Sequence, residues 1–380
     1  MNEIDVPFNK PSLVGNEIKY VRDAVRRGQL AGDGTYTERC CNLLKAQLGA
    51  PSVLLTHSCT AALEMAAMLC DLAPGDEVIM PSFTFVSTAN AVVLRGATPV
   101  FVDIDVSTLC MAPDAVEAAI TEKTRAIFAV HYAGFPADIE RLVMLAKAHD
   151  LFLVEDAAQA LGSTYNGQQA GTFGDAATFS FHETKNVISG EGGALVINRP
   201  DWVERAEIIR EKGTNRSQFF RGAVDKYTWV DVGSSYLPGE LIAAFLLAQI
   251  ETQDAIRTRR LSVFDTYFEA FEAQVAQRQI RLPDTPLNCE GNGHMFYLLM
   301  DSLNTRTEFI NFMRQNGVIT PFHYVPLHSS PGGQKFGRTS GDLRVTNMIS
   351  DTLVRLPMFF DLGSDVETVI EVANRALENT

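Results

Sequence analysis

The stretch Asp156–Gly193, DAAQALGSTYNGQQAGTFGDAATFSFHETKNVISGEGG, decides how this chain is read. The apolar run LFLVE leads into it and ends on Asp156. Inside it a second run, ATFSF, leads to Lys185 and then to a Gly-Glu-Gly-Gly turn. An acid and a lysine therefore stand just past the ends of two expected strands.

Upstream of this stretch the pattern alternates. SVLLTHS, EVIM at 77–80, TPVFVDI, AIFAVH and LFLVED read as strands, separated by the helical segments TAALEMAAMLC, FVSTANAVVLRG, PDAVEAAI and DIERLVMLAKAHD. Two more helices come first, one within 12–30 that stops at Gly28 and one near 36–48. Strands apolar on both faces, alternating with helices, predict a mostly parallel sheet flanked by helices. Ligands of such sheets gather beyond the carboxyl ends of the strands. Ser58, Phe83, His131, Asp156 and Ser180 all fall at or near such ends.

Downstream come the strand GALVI (193–197), the helix DWVERAEIIREK and the 24-residue loop GTNRSQFFRGAVDKYTWVDVGSSY. A loop of that length predicts a functional or interface role. Helical spacing then runs nearly unbroken from Glu240 to about Gln274 and carries the chain out of the first domain. GHMFYLLM, a helix near 305–315, ITPFHYV and a final helix at 364–377 predict a smaller α+β domain. We expect a large α/β domain over 1–250 and a small one over 251–380.

A chain of 380 residues fits two closely joined domains. Its 46% hydrophobic and 21% charged content is that of an ordinary globular protein. No apolar run approaches the ~20 residues of a membrane span. The opening MNEIDVPFNKPSLVG has no apolar signal core, so a cytoplasmic protein is expected. The net charge of −14 argues against general nucleic-acid affinity, yet leaves room for one anionic small ligand held by local donors. Cys40, Cys41, Cys59, Cys70, Cys110 and Cys289 form no CxxC pair and no His-spaced cluster, so idle thiols and no metal are expected. Neither GxGxxG nor GxxxxGK[ST] occurs, which argues against dinucleotide and P-loop phosphate binding.

Lys185 is the sharpest chemical candidate. A lysine near glycines is as often a solvated surface residue, but this one follows an apolar strand and precedes a turn where backbone can crowd a ligand. A partly desolvated lysine can attack carbonyls to form Schiff bases. Asp156 alone reads equally as a helix cap. Together with the lysine it suits a pyridinium N–H, which a carboxylate keeps protonated so that the ring becomes an electron sink. The pair suggests pyridoxal 5′-phosphate. Ser58-Cys59-Thr60-Ala61, where a strand meets a helix, offers free amides and hydroxyls to its phosphate, or else an ordinary cap. Phe85 is placed to stack on the ring or to serve as core. His57, His131 and His182 lie near strand ends, with structural roles the default, and no histidine pair has metal-ligand spacing.

The set SCTAAL, PSFTFVSTANA, VEDAAQ, FSFHETKN and GEGG resembles the DegT/DnrJ/EryC1/StrS family of sugar aminotransferases across nearly the whole chain. The resemblance implies a fold-type-I pyridoxal-phosphate enzyme acting on nucleotide-linked keto sugars. It is narrower in VPFNKPSLVGNE, KGTNRSQFFRGAVDKYTWVDVGSSYLP and FHYVPLHSSP, which resemble the subgroup that forms dTDP-4-amino-4,6-dideoxygalactose for enterobacterial common antigen. That subgroup aminates dTDP-4-keto-6-deoxy-D-glucose with L-glutamate. By this resemblance Lys185 is the Schiff-base lysine, Asp156 the partner of the pyridine nitrogen and Gln159 an amide against the cofactor. Thr60, Ala61 and Ser180 bind the phosphate, and Phe85 stacks on the ring. Where the family commonly has GYNYR, whose asparagine reaches the phosphate across a homodimer with shared active sites, this chain has Gly-Ser-Ser-Tyr-Leu at 233–237 and so Ser235. Lysine rather than histidine at 185 favours transamination over dehydration. Basic candidates for the nucleotide sugar are Lys212, Arg216, Arg221 and Lys226, each equally a solvated surface charge. His323, Tyr324 and His328 could close over the sugar, with core packing the alternative for Tyr324. The C4 epimer of the product, another nucleotide, a C3 ketone and a non-catalytic sensor that binds the cofactor remain open.

Overall fold

The computed structural model describes residues 5–278 and 280–379. Its centre is an eight-stranded sheet. In spatial order the strands are Ser52–Thr56, Gly193–Ile197, Ala176–Ser180, Phe152–Asp156, Thr124–Val130, Glu77–Pro81, Thr98–Val102 and Arg338–Thr339. Neighbours run parallel except at Gly193–Ile197, which runs against both strands beside it. Residues 181–192 contain no helix. Without a crossover element the chain can only turn back and pair antiparallel. The mostly parallel sheet expected from the strand–helix alternation is thus present, with one reversed strand inside it.

Two-sided burial explains the continuous apolar strands. Val78 and Met80 enter one buried cluster while Ile79, between them, enters another. Leu54 faces one layer of helices, and Val53 and Leu55 face a different one. This is the period-two alternation of a strand whose two faces are both covered.

A smaller unit follows. Phe296–Leu299 pairs antiparallel with Leu353–Leu356. Helices Leu303–Gln315 and Asp365–Asn379 contribute Phe309, Val369 and Ala373 to its core, which also takes Tyr267 and Phe271. The helical stretch from 240 is two helices, Glu240–Glu251 and Gln253–Arg278. At the joint, Thr252 Oγ1 bonds back to Ala248 O at 2.9 Å and Gln249 O at 3.2 Å. A hydroxyl that competes for helix carbonyls in this way bends or breaks a helix. We propose a domain division near 250, with two segments lying across it. Val6 bridges to Val318 and lies in the smaller core, and Arg338–Thr339 pairs onto Thr98–Val102 at the edge of the large sheet.

The reversed strand also fixes the start of helix Cys59–Leu69. A Cβ on Gly193 would lie 2.4 Å from Cys59 N and 2.4 Å from Ser58 C. Only glycine allows that approach. Gly193→Ala should lower stability by about 1–3 kcal/mol through overpacking, seen as an earlier urea midpoint. An unchanged midpoint would show that helix and strand are free to move apart.

Candidate active site

Parallel pairing sets Asp156 opposite Thr178, two residues before Ser180 ends its strand. From Ser180 the chain enters a closed loop. Phe181 N donates to Gly192 O at 2.9 Å, Ser189 N to Phe181 O at 2.7 Å, and Lys185 N to His182 O at 2.9 Å. Asn9 Nδ2 ties Glu183 O from outside at 3.0 Å. Lys185 is therefore presented by a braced loop. It shares with Asp156 a cavity of about 690 Å³.

The two adjacent acids of this strand differ in a telling way. Glu155 is fully buried and saturated: it accepts from Gly171 N, Phe173 N and Gly174 N at 2.7–2.8 Å and pairs with His131 Nε2 at 2.9 Å. Ala137 N donates to His131 Nδ1 at 3.0 Å, so the ring proton sits on Nε2 and faces Glu155. That pair anchors the loop at 171–174 and makes His131 structural. Asp156 points to the other face. It accepts from Thr88 Oγ1 at 2.7 Å and, at 3.3 Å, from Ala158 N. Burial pushes its carboxyl above the usual carboxylate range, against the pull of those donors and of Lys185. It is a buried acid with acceptor capacity to spare. Lys185 shows the complement: burial lowers its pKa, while Cys59 and Asp156 act to raise it.

The helix Cys59–Leu69 opens at the cavity. Ser58 Oγ accepts from Ala61 N at 3.1 Å, so the Ala61 amide is spent on the cap, and Ala61 is buried behind the wall. Ser58, Cys59 and Thr60 do line the cavity, and Thr60 Oγ1 lies 2.8 Å from Ser87 Oγ. Phe85, 58% exposed, precedes helix Val86–Val93, and it borders the same space. Gln159 accepts from Ala133 N at 2.8 Å through Oε1 and donates through Nε2 to Tyr324 Oη at 2.9 Å. Ser180, His323 and Tyr324 complete the set. The rings of His323 and Tyr324 stack at 3.6 Å, and His323 Nδ1 meets Tyr132 Oη at 2.7 Å.

Other candidates lie elsewhere. His328 is held against Ser82 Oγ at 2.7 Å and does not border the cavity. Arg216 pairs with Glu211 at 3.0 Å and lies 5.0 Å from the centre of the Phe220 ring; Lys212 pairs with Glu211 and Arg221 with Glu207. Lys226 and Ser235 are exposed, away from this cavity. Thr88, Arg260, His294 and Arg355 line it unannounced by the sequence. Thr88 had a signal, standing one helical turn after the strand-end Phe85. Arg355 had one too, an arginine inside the apolar strand LVRL.

The wall fits pyridoxal 5′-phosphate. An under-bonded buried carboxylate, an amine of lowered pKa, an exposed ring and a helix N-terminus face one space, and each answers one part of that molecule. Such a site at the carboxyl ends of a mostly parallel sheet defines a pyridoxal-phosphate-dependent aminotransferase. The chain belongs to the DegT/DnrJ/EryC1/StrS aminotransferase family, whose profile matches residues 11–374. It is 33% identical over 327 residues to the GDP-perosamine synthase of Escherichia coli O157:H7, covering 86% of each chain. Among solved structures it resembles the aminotransferase TlmJ of Streptoalloteichus hindustanus, with a TM-score of 0.91, 28% identity and coverage of 98% of this chain and 99% of that one. Spr1654 of Streptococcus pneumoniae, in its PMP form, gives a TM-score of 0.91 at 27% identity, covering 99% of this chain and 100% of that one. The family and the PLP and PMP forms of that neighbour make pyridoxal phosphate the cofactor. Among the described residues no helix is long and apolar enough to cross a membrane.

Two outcomes follow from these environments. Lys185→Ala should abolish the borohydride-sensitive visible absorbance of the loaded protein; a retained band would place the linkage elsewhere. Asp156 carries a raised pKa, so its ionised form disfavours the folded apoprotein, fully above the folded pKa and not at all below its ordinary 3.8. Asp156→Asn should therefore raise the thermal midpoint of the apoprotein at neutral pH. The advantage should narrow as the pH is lowered toward that value, and a lowered midpoint at neutral pH would contradict the assignment.

Proposed function

We propose that this aminotransferase moves the amino group of L-glutamate to C4 of dTDP-4-keto-6-deoxy-D-glucose, giving dTDP-4-amino-4,6-dideoxy-D-galactose. One observation carries the reaction type: Lys185 and Asp156, shifted by burial in opposite directions, line one cavity. The sugar rests on the 212–237 and 321–331 segments and the subgroup they resemble.

Bound pyridoxal phosphate supplies a carbonyl that links to amines and a ring that takes up the electron pair left when a proton departs from carbon. The chain's own residues do the rest. Lys185 Nζ, whose lowered pKa keeps neutral amine available, accepts the proton from the donor's α-carbon as a general base. In the second half-reaction it returns a proton to C4 of the sugar. Asp156, fixed by Thr88, holds positive charge on the ring nitrogen. Gln159 orients Tyr324, whose own hydroxyl proton finds no acceptor among the described residues and is left for a substrate oxygen. Donor and sugar use one site in turn, so ping-pong kinetics are expected.

The enzyme in this reading is a homodimer. Phe220 at 69% and Trp229 at 78% exposure, with Tyr227 also exposed, give the 216–236 loop an apolar face suited to a second copy. Ser235, outside its own cavity, would then serve the partner's phosphate site. A different nucleotide is the second reading, favoured by the relative whose name carries GDP. The glucose-configured epimer, a C3 ketone and a non-catalytic sensor fit less of the sequence.

Incubation with L-glutamate and dTDP-4-keto-6-deoxyglucose should release 2-oxoglutarate and a product whose small H4 couplings mark an axial amine. Large couplings would assign the epimer, and no 2-oxoglutarate with any keto sugar would revive the sensor. Lys185→Ala should cost on the order of 10³-fold or more in turnover; full activity would overturn the mechanism.

A further inference from the structure

The backbone holds Lys185 firmly on one side only. Its own N–H donates to His182 O at 2.9 Å. The amides of residues 186–188 donate to no backbone carbonyl among the described residues, and bonding resumes at Ser189 N. That side is tethered by the buried Val187 and Ile188 and by the side chain of Asn186. Asn186 Nδ2 donates to Asn292 O at 2.9 Å, and its Oδ1 lies 3.0 Å from His294 Nδ1. Asn292 O can only accept, so the amide nitrogen faces it and the amide oxygen faces His294. The His294 proton therefore sits on Nδ1 and is donated to Asn186. Nε2 meets no partner among the described residues. Burial and the charges of Lys185, Arg260 and Arg355 hold the His294 pKa well below its ordinary value, so the ring is neutral.

The segment that grips Asn186 is itself fixed. Arg260, on helix Gln253–Arg278, donates from Nε to Gly293 O at 2.8 Å and from Nη2 to His294 O at 2.6 Å. Asn292 Nδ2 donates to Gln159 O at 2.9 Å and to Leu161 O at 3.0 Å. Burial lowers the Arg260 pKa to about 10. Spending a buried guanidinium on two carbonyls costs desolvation, which marks this segment as one whose position matters. We propose that the Nδ1–H of His294, acting through the Asn186 amide, positions Lys185 for cofactor capture and proton transfer. This rests on the reading that Lys185 carries both the cofactor and the proton. His294 is then a positioning residue, and the smaller unit sets where the amine of the larger one stands. A lysine amine rides on a flexible four-carbon stem. Anchoring the residue after it fixes the arc through which Nζ swings, and a misplacement of about 1 Å can cost on the order of 10²-fold in rate.

Two substitutions separate the ring nitrogens. In His294→Asn the amide nitrogen can stand where Nδ1 stood and still donate to Asn186. In His294→Gln an amide atom takes the place of Nε2, and the bond to Asn186 is lost. These apoproteins, Asn186→Ala and wild type would be mixed with pyridoxal phosphate, and the rise of borohydride-sensitive visible absorbance timed. His294→Gln and Asn186→Ala should be slower by on the order of 10-fold or more. His294→Asn should stay within about threefold of wild type. Single turnovers of the loaded proteins with L-glutamate should follow the same order. The loss should fall on the rate constant with the apparent Kd unchanged, and the isotope effect should grow when Cα is deuterated. Asn186→Ala breaks the same bond from the other side and carries the test should His294→Gln not fold. The reverse order, with His294→Asn slow and His294→Gln near wild type, would assign a ligand to Nε2 and overturn the proposal. Like rates in the two His294 variants, or a loss confined to the apparent Kd, would overturn it equally. Wild type that captures the cofactor but is not converted by L-glutamate would overturn only the donor reading, because capture uses no donor. A visible band kept in Lys185→Ala would overturn the reading of Lys185, and the positioning role with it.

Discussion

The site depends on the pairing of strand Phe152–Asp156 with strand Ala176–Ser180. Parallel register puts the end of one beside the end of the other. Asp156 then occupies one strand end, and the loop that carries Lys185 begins at the next. Nothing in that pairing would hold the lysine in place if the following strand were delivered by a long crossover. The antiparallel return of Gly193–Ile197 keeps the loop short and closes it with backbone hydrogen bonds. The same strand approaches Ser58 and Cys59 so closely that only glycine fits at 193. One hairpin thereby positions the amine and the helix terminus that opens at the cavity.

The electrostatics follow from what each group lacks. Glu155 and Asp156 are neighbours in sequence, both buried and opposite in role. Four donors saturate Glu155, which anchors a loop. Asp156 has one strong donor and one weak one, and its carboxyl is destabilised by burial. Lys185 is destabilised in the opposite sense. A buried acid and a buried amine, each pushed by burial toward its neutral form, suit a zwitterionic cofactor.

Much of this was legible in the sequence. Alternating two-sided strands gave the parallel sheet, because burial on both faces removes the polar half of the usual strand pattern. Asp156 and Lys185, read from chemistry at strand ends, line one cavity with Phe85, Gln159 and Tyr324; Gln159 was named only by resemblance to the family. What escaped was set by distance in the chain. Arg355 and His294 reach the cavity from the smaller unit, and Arg260 from the helix Gln253–Arg278. No local pattern says which wall they face. The broken helix at Thr252 escaped because apolar spacing continues through it while a hydroxyl takes the carbonyls. Ala61 shows why helix starts are ambiguous in sequence: a cap and a phosphate site use the same amides, and here Ser58 Oγ takes that of Ala61.

The central claim is that Asp156 exists to keep a proton on the cofactor's ring nitrogen. The most direct measurement is the ¹⁵N resonance of ring-labelled pyridoxal phosphate bound to the protein at neutral pH. The account predicts a protonated nitrogen in the wild type and a shift to the unprotonated range in Asp156→Asn. An unprotonated nitrogen in the wild type, or the same protonated resonance in both proteins, would contradict it.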